Sequence, residues 1–138
     1  MEKYILNSSF TSERIRATCG CMLRTARFIP CLAIALFIFW ASSQPGSDFQ
    51  LFLHADKIIH YTIYALLMLS CIYGAEFPGA KETRFWALLC VLYAVSDEWH
   101  QSFVPGREAT LGDVLADVFG VVSVVMVSMF WVRRRQPQ

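Results

Sequence analysis

Four long runs of apolar residues divide this chain, and charged residues separate the runs from one another. The runs cover residues 28–47, 58–75, 85–96 and 114–132. A helix that crosses a membrane needs about 20 largely apolar residues, because the hydrocarbon core is about 30 Å thick. The first, second and fourth runs have about that length. The pattern therefore predicts an all-α integral membrane bundle of four transmembrane helices.

The third run is too short to cross on its own, because its uncharged stretch ends at Asp97 and Glu98. It reaches spanning length only if the helix continues through these acids and Gln101 to about Phe103. That continuation places two carboxyl side chains at or near membrane depth. The alternative is a half-span that re-enters the membrane from the same side.

The first run has a second interpretation as a secretory signal. A basic leader, an apolar core and the small residues Ala41, Ser42 and Ser43 resemble a signal with a cleavage site. The leader is long for such a signal, and Phe, Trp and Pro residues flank the site. We therefore expect a retained span, with a basic cytoplasmic leader over 1–27, a four-helix membrane domain over 28–132 and a basic cytoplasmic tail over 133–138.

The basic residues favour one orientation of the bundle. Lys and Arg are enriched on the cytoplasmic side of membranes. With four spans, the leader, the 76–84 loop and the tail share one side, which holds ten of the twelve Lys and Arg residues. Only Lys57 and Arg107 lie on the other side. The predicted topology is therefore N-in and C-in.

Composition agrees with a membrane protein. Hydrophobic residues make up 56% of the chain and charged residues 17%, with a mean hydropathy of +0.44, whereas soluble domains carry about 25% charged residues. The net charge of +1 gives no indication of a nucleic-acid partner. The five cysteines are odd in number and none lies in a predicted outer segment, so no disulfide framework is indicated. Cys19 and Cys21 lack further Cys or His residues nearby that would complete a metal site.

Polar residues gather at the predicted outer ends of the helices. Residues four apart share one face of a helix, which groups Asp56 with His60 and Tyr64, and Asp113 with Asp117. The turn after the third helix brings Arg107 to the same end. The candidate site residues are Asp56, Lys57, His60, Tyr64, Asp97, Glu98, Gln101, Arg107, Asp113 and Asp117.

These charges need compensation between helices. A charged side chain at the membrane centre costs about 2.5–3.5 kcal/mol on insertion scales. We expect Lys57 or Arg107 to pair with one of three acids, Asp97, Glu98 and Asp117. A purely structural interpretation stays open, in which two aspartates cap helix N-termini and the other charges only lock the bundle together.

Three functions fit this polar end. As an enzyme, the protein would be a hydrolase or transferase of lipid-linked envelope substrates, with His60, Asp97 and Glu98 as candidate acids and bases. As a binding protein, it would hold a lipid head group or cell-wall fragment, with Lys57 and Arg107 contacting phosphate or carboxylate. As an ion-coupled transporter, it would use its intramembrane acids as a proton relay. A carboxylate–histidine pair around a dry cleft would favour the enzyme.

Other sequence features narrow the chemistry. The chain has neither a G-x-S-x-G nucleophile motif nor an H-E-x-x-H zinc motif. Asp56, His60, Asp97 and Glu98 have the ligand types of a divalent-ion site, but no spacing enforces one. We therefore expect no metal and no cofactor. Four spans make a thin bundle, which is compatible with a homodimer.

Three motifs resemble the VanZ-like family of small bacterial membrane proteins. They are Asp56-Lys57-x-x-His60, Asp97-Glu98-x-x-Gln101-x-Phe103-x-Pro105-Gly106-Arg107 and Asp113-Val114-x-Ala116-Asp117-x-x-Gly120, within residues 56–124. The resemblance implies a multi-pass protein of the bacterial inner membrane. The family takes its name from a teicoplanin resistance factor, and this association suits a protein that binds a lipid-linked or glycopeptide-related cell-envelope ligand, although the resemblance itself supplies no biochemical activity. Asp117 stands where the family pattern usually has Asn.

Overall fold

A computed structural model describes residues 24–45 and 55–135, and all regular structure in these ranges is helical. The helices are α1 (Ile29–Ser42), α2 (Ala55–Gly74), α3 (Ala80–Gln101) and α4 (Leu111–Arg135). Residues 1–23, most of the first outer connection and residues 136–138 lie outside the described ranges. They include Cys19, Cys21, most of the predicted leader and part of the predicted tail.

Three helical segments are long and apolar enough to cross a membrane: Arg24–Ser42, Ala55–Gly74 and Leu111–Arg134. The protein is therefore a membrane protein with several apolar helices. We call the end of the bundle that holds Ser42, Ala55, Gln101 and Leu111 the outer end. The inner end holds Ile29, Gly74, Ala80 and Arg135.

The third helix runs without a break through Asp97 and Glu98 to Gln101. Its 22 residues are about 33 Å long at the usual rise per residue, which matches the thickness of a hydrocarbon core. The predicted continuation of the helix through the two acids is therefore confirmed. Charged residues at both ends make α3 less apolar than the other three helices.

Local chemistry explains where the helices start and stop. Both α2 and α4 begin three residues before the apolar runs, and this places Asp56 and Asp113 in their first turns. Carboxylates are favourable there because the N-terminus of a helix carries partial positive charge. Helix α1 ends at Ser42, before the predicted end of its run, because Pro45 disfavours a helical residue before it and cannot continue the helix.

Helix α2 is the centre of the bundle, since it contacts each of the other three helices and packs most extensively on α4. Gly120 is the point of closest approach between α2 and α4. A Cβ atom there would collide with the carbonyl oxygen of Tyr61 and lie 3.0 Å from the backbone nitrogen of Ala65. The core consists mainly of Ile38, Tyr64, Leu67, Met68, Cys71, Ile72, Cys90, Ala94 and Val121.

Helix α1 is joined to the rest of the bundle by specific contacts. Its Cys31 Sγ lies 3.0 Å from Cys71 Sγ on α2. The Tyr93 hydroxyl on α3 donates a 2.7 Å hydrogen bond to the carbonyl oxygen of Ala35. Arg27, just before α1, forms a 2.5 Å ion pair with Glu76 after α2. These contacts join α1 to both α2 and α3.

Candidate functional site

All ten candidate residues predicted from the sequence lie at the outer end of the bundle. They come from α2, α3, α4 and the turn between α3 and α4. Six of them are buried: Tyr64, Asp97, Glu98, Gln101, Asp113 and Asp117. Asp56, by contrast, is exposed, with 58% of its side chain accessible to solvent.

One hydrogen-bonded network ties the starts of α2 and α4 to the end of α3. The Thr110 hydroxyl caps α4: it accepts a 3.2 Å hydrogen bond from the backbone N–H of Asp113 and donates a 2.6 Å bond to Asp113 Oδ2. The backbone N–H of Thr110 donates to Glu98 Oε1 at 2.5 Å. Lys57 Nζ lies 3.1 Å from Asp113 Oδ1 and 3.0 Å from Asp56 Oδ2. Three helix ends are thereby held in one arrangement.

A carboxylate–histidine pair lies beneath this network. His60 Nδ1 is 3.0 Å from Asp117 Oδ1, and the two side chains are 15% and 1% exposed. An ionised Asp117 can only accept a hydrogen bond, and in that state the ring donates from Nδ1. A neutral His60 then presents Nε2 as a hydrogen-bond acceptor or base. Glu98 is close enough to interact electrostatically with both members of the pair.

Three buried oxygen atoms near this pair have no hydrogen-bond partner in the described protein. They are Tyr64 Oη, Glu98 Oε2 and Asp117 Oδ2. Tyr64 lies near Asp97 and Asp117, so its hydroxyl belongs to the same polar region. A buried polar atom without a partner costs about 1–3 kcal/mol. The outer end therefore has three side chains, one from each of three helices, that can still form a hydrogen bond.

A second network centres on Arg107 and the C-terminus of α1. The guanidinium donates to the carbonyl oxygens of Ala41 at 2.7 Å and Gln44 at 3.2 Å. It also donates to Gln101 Oε1 at 3.3 Å. The last carbonyls of a helix lack partners within the helix, and Arg107 supplies donors for them. Gln101 Nε2 in turn donates to Asp97 Oδ2 at 3.0 Å.

This arrangement corrects the expected ion pairs. Within the described ranges, neither Lys57 nor Arg107 pairs with Asp97, Glu98 or Asp117. Lys57 instead bridges the two first-turn aspartates. Arg107 is held by carbonyl oxygens at the end of α1, and the Gln101 amide separates it from Asp97.

An aromatic cleft borders the buried acids between α1 and α3. It has a volume of about 420 Å³ and is lined by Phe39, Tyr93, Ser96, Asp97, Trp99, His100 and Phe103. His100 stacks on Phe39 with ring centroids 5.0 Å apart, and its Nε2 lies 3.1 Å from Ser43 Oγ. Asp97 is the carboxylate on the wall. The cleft therefore presents aromatic faces and one acid at the level of the buried cluster.

Sequence reasoning missed several residues of the site. Thr110 is the clearest, because it caps α4 and binds Glu98. The spacing of Thr110 and Asp113 matches a capping pattern and would have identified it. Ser42 Oγ accepts a 3.3 Å hydrogen bond from Gln101 Nε2, and neither Ser42 nor the carbonyl groups that bind Arg107 carry such a signal. In the described part of the chain, no group of three or more His, Cys, Asp or Glu residues is arranged to hold a metal ion.

Comparison with known proteins gives two matches. The model of a family described as VanZ/LLP1 matches residues 4–132, which extends the resemblance well beyond residues 56–124 and includes the first span. An uncharacterised protein of the yeast Schizosaccharomyces pombe is 24% identical over 111 residues, which are 80% of this chain and 65% of that relative. The chain thus spans about 65% of that relative's length. No solved structure matches.

Proposed function

Because the chain belongs to the VanZ/LLP1 family, we propose that it is a four-span membrane protein that binds a lipid-linked or cell-envelope ligand at its outer end. In this proposal α3 also crosses the membrane, in addition to the three apolar segments, and both termini are cytoplasmic. The site then faces outward from a bacterial inner membrane. The strong bias of Lys and Arg toward the inner end supports this orientation. Because the matching relative is a yeast protein, the proposed bacterial location is based on the sequence motifs alone.

The observation that carries this proposal is the set of three buried, unpartnered oxygens on Tyr64, Glu98 and Asp117. Polar groups buried in a protein nearly always have partners, so such atoms need an explanation. A ligand with amino, hydroxyl or amide donors would satisfy them. Two of the three belong to carboxyl groups, and hydrogen bonds to charged groups contribute about 1.5–3 kcal/mol.

The cations of the site are already engaged, which changes the expected ligand chemistry. Lys57 contacts two aspartates, and Arg107 contacts carbonyl oxygens. The geometry therefore favours a donor-rich head group over a phosphate or carboxylate held by Lys57 and Arg107. The aromatic cleft beside Asp97 offers ring faces for the apolar surfaces of such a head group.

A charge-neutralising variant tests the proposal. Glu98→Gln keeps an oxygen that accepts from Thr110 but removes the charge, so the fold should remain and ligand binding should weaken about 10-fold or more. We would measure glycopeptide tolerance in a bacterial host that expresses the protein, together with the level of each variant in membranes. Glu82→Gln is the matched control, since it makes the same change in the first turn of α3 at the inner end.

The two variants have distinct expected outcomes. Glu98→Gln should lose tolerance at normal membrane levels, whereas Glu82→Gln should retain it. Full tolerance in Glu98→Gln, and also in Asp117→Asn, would contradict the proposed site. Loss that simply follows reduced protein levels would assign the cluster a structural role.

The His60–Asp117 pair favours hydrolysis or group transfer as a second candidate function. An imidazole oriented by a carboxylate is suited to act as a general base, and Glu98 would serve as the acid. His60→Gln separates the two candidates, because a binding protein should keep most of its affinity while an enzyme loses turnover. Product formation from lipid extracts incubated with the purified protein would be followed by mass spectrometry. No contact within the described ranges favours ion transport, since the core below Tyr64 is formed by Leu67, Met68, Cys71 and Ile72.

A further inference from the structure

A long groove runs between α2 and α4 toward the inner end of the bundle. It has a volume of about 600 Å³, and its lining includes Tyr61, Ala65, Leu69, Phe77, Val127 and Trp131. The groove starts beside the 3.0 Å hydrogen bond from the Tyr61 hydroxyl to Ser123 Oγ. It ends at the turn that contains Phe77 and Pro78. None of these residues belongs to the polar site at the outer end.

The walls of the groove offer an occupant almost no polar contacts. Its hydroxyl groups already bond within the protein: Tyr61 donates to Ser123, Ser123 to the Phe119 carbonyl at 2.8 Å, and Ser128 to the Val125 carbonyl at 2.8 Å. Apart from the indole N–H of Trp131, the other lining side chains carry no polar atom. The distance along α2 from Ala65 to Gly74, its last residue, is about 14 Å, close to half of a hydrocarbon core about 30 Å thick. The groove therefore has the depth and polarity of a site for one hydrocarbon chain in one leaflet.

Positive charge lies at the inner end of α4, directly after the last lining residue of the groove. Val132 is followed by Arg133 and Arg134, whose side chains are both exposed, and the Arg134 Cζ atom lies 4.3 Å from the centroid of the Phe130 ring. Basic side chains outnumber acidic ones at the described inner end. The acidic residues there are Glu76 and Glu82, and the basic residues are Arg24, Arg27, Lys81, Arg84, Arg133 and Arg134. Glu76 is already paired with Arg24 and Arg27. Arg and Lys clusters at the end of a membrane helix attract anionic lipid head groups.

We propose that this groove is a binding site for an anionic phospholipid, with one acyl chain between α2 and α4 and the phosphate beside Arg133 and Arg134. The inference is independent of the ligand at the outer end. It assigns the lipid to the leaflet that holds the basic end of the bundle. An uncharged or zwitterionic lipid would fill the groove but gain less from the two arginines.

Native mass spectrometry of the full chain in detergent tests the site. The added probes are phosphatidylglycerol, phosphatidylcholine with the same acyl chains, and glycerol phosphate. We expect one retained phosphatidylglycerol per chain, a preference of about tenfold over phosphatidylcholine, and no retained glycerol phosphate. Equal retention of the two lipids would overturn the anionic assignment. Retention of glycerol phosphate alone would show that the arginines form a simple anion site, and it would overturn the proposal that the groove binds an acyl chain.

Matched variants separate the groove from the rest of the surface. Val127→Trp fills the groove, and Met126→Trp makes the same change at a neighbouring exposed position that does not line it. Val127→Trp should lose the lipid and Met126→Trp should keep it. The double change Arg133→Gln and Arg134→Gln should lose the preference for phosphatidylglycerol, whereas Arg84→Gln should keep it. Unfolding temperatures of all variants in detergent show whether each is folded.

Two outcomes of the variant series would overturn the proposal. The first is unchanged lipid retention in a folded Val127→Trp protein. The second is a dimer mass that Val127→Trp abolishes, because the groove would then seat a second copy of this chain.

Discussion

The outer and inner ends of the bundle belong to the same four helices but are held together by different interactions. At the outer end, buried acids make directed hydrogen bonds across α2, α3 and α4, and three oxygens are left without partners. At the inner end, Leu67, Met68, Cys71 and Ile72 fill the core. Burying unpartnered polar atoms costs stability, and natural proteins accept that cost mainly at functional sites. The comparison supports the proposal that the polar outer end is the site of ligand binding, whereas the core at the inner end is apolar.

The largest expected effect comes from Gly120, where both ends depend on the crossing of α2 and α4. Gly120→Val places side-chain atoms against the backbone of Tyr61 and Ala65, which cannot move aside as a flexible side chain would. We expect the free energy of unfolding to fall by about 3 kcal/mol, at the upper end of typical overpacking costs. Thermal unfolding in detergent, followed by circular dichroism, measures the change.

Gly112→Val is the control for that variant. Its nearest neighbour would be Cε of Lys57 at 3.1 Å, part of a flexible side chain that can shift. The control should therefore lose much less stability. If Gly120→Val unfolds at the same temperature as Gly112→Val, α2 and α4 do not approach each other as closely at Gly120 as described.

An intermediate effect is expected at Arg107, and it sharpens the comparison within the outer end itself. Arg107→Ala removes two hydrogen bonds to the end of α1 and one to Gln101 on α3, so we expect a loss of about 2 kcal/mol in the free energy of unfolding. The sequence alone predicts loss of function without loss of insertion for this variant. The structure adds a cause for this loss of function: without Arg107, the end of α1 should be held less firmly against the bundle.

Arg84→Ala is the matched control for Arg107→Ala. Arg84 makes its hydrogen bond within its own helix, to the Ala80 carbonyl at 3.1 Å, so its removal should change stability little. Lower protease resistance of the α1 segment in Arg107→Ala, measured on the intact protein in detergent, would confirm the docking role. Equal resistance in the two variants would remove Arg107 from that role.

The smallest effect is expected at Cys71 in the inner core. Cys71→Ala removes one sulfur atom and its contact with Cys31, which should cost about 1 kcal/mol of stability. Glycopeptide tolerance in the expressing host should stay at the level of the unchanged protein. Loss of tolerance at normal membrane levels would show that the inner end takes part in function and would break the comparison.

The fold was largely predictable because its signals are local. Apolar run length predicted the helices, and the need for spanning length predicted that α3 continues through Asp97 and Glu98. The ends of the helices were less predictable, since runs of uncharged residues do not include first-turn acids such as Asp56 and Asp113. The sequence also identified which residues share the outer end, because helical spacing and chain direction determine this.

The partners within the site were not predictable in the same way. Charge alone suggested that Arg107 would pair with an acid, but its position above the end of α1 offered carbonyl oxygens instead. Which carboxylate meets His60 depends on the rotation of α2 against α4, and this is set by close packing at Gly120. Helical spacing within one segment carries no information about that rotation.

The bond between Glu98 and Thr110 has a consequence for how a ligand would reach the site. The segment from 102 to 110 is attached at Arg107 to the end of α1 and at Thr110 to Glu98, so it is fixed at two points. A segment fixed in this way cannot swing open as a lid without breaking both attachments. A lipid-linked ligand would instead arrive sideways, by diffusion within the plane of the membrane. Occupancy of the site would then follow the ligand's surface density in the leaflet and not its concentration in the surrounding water.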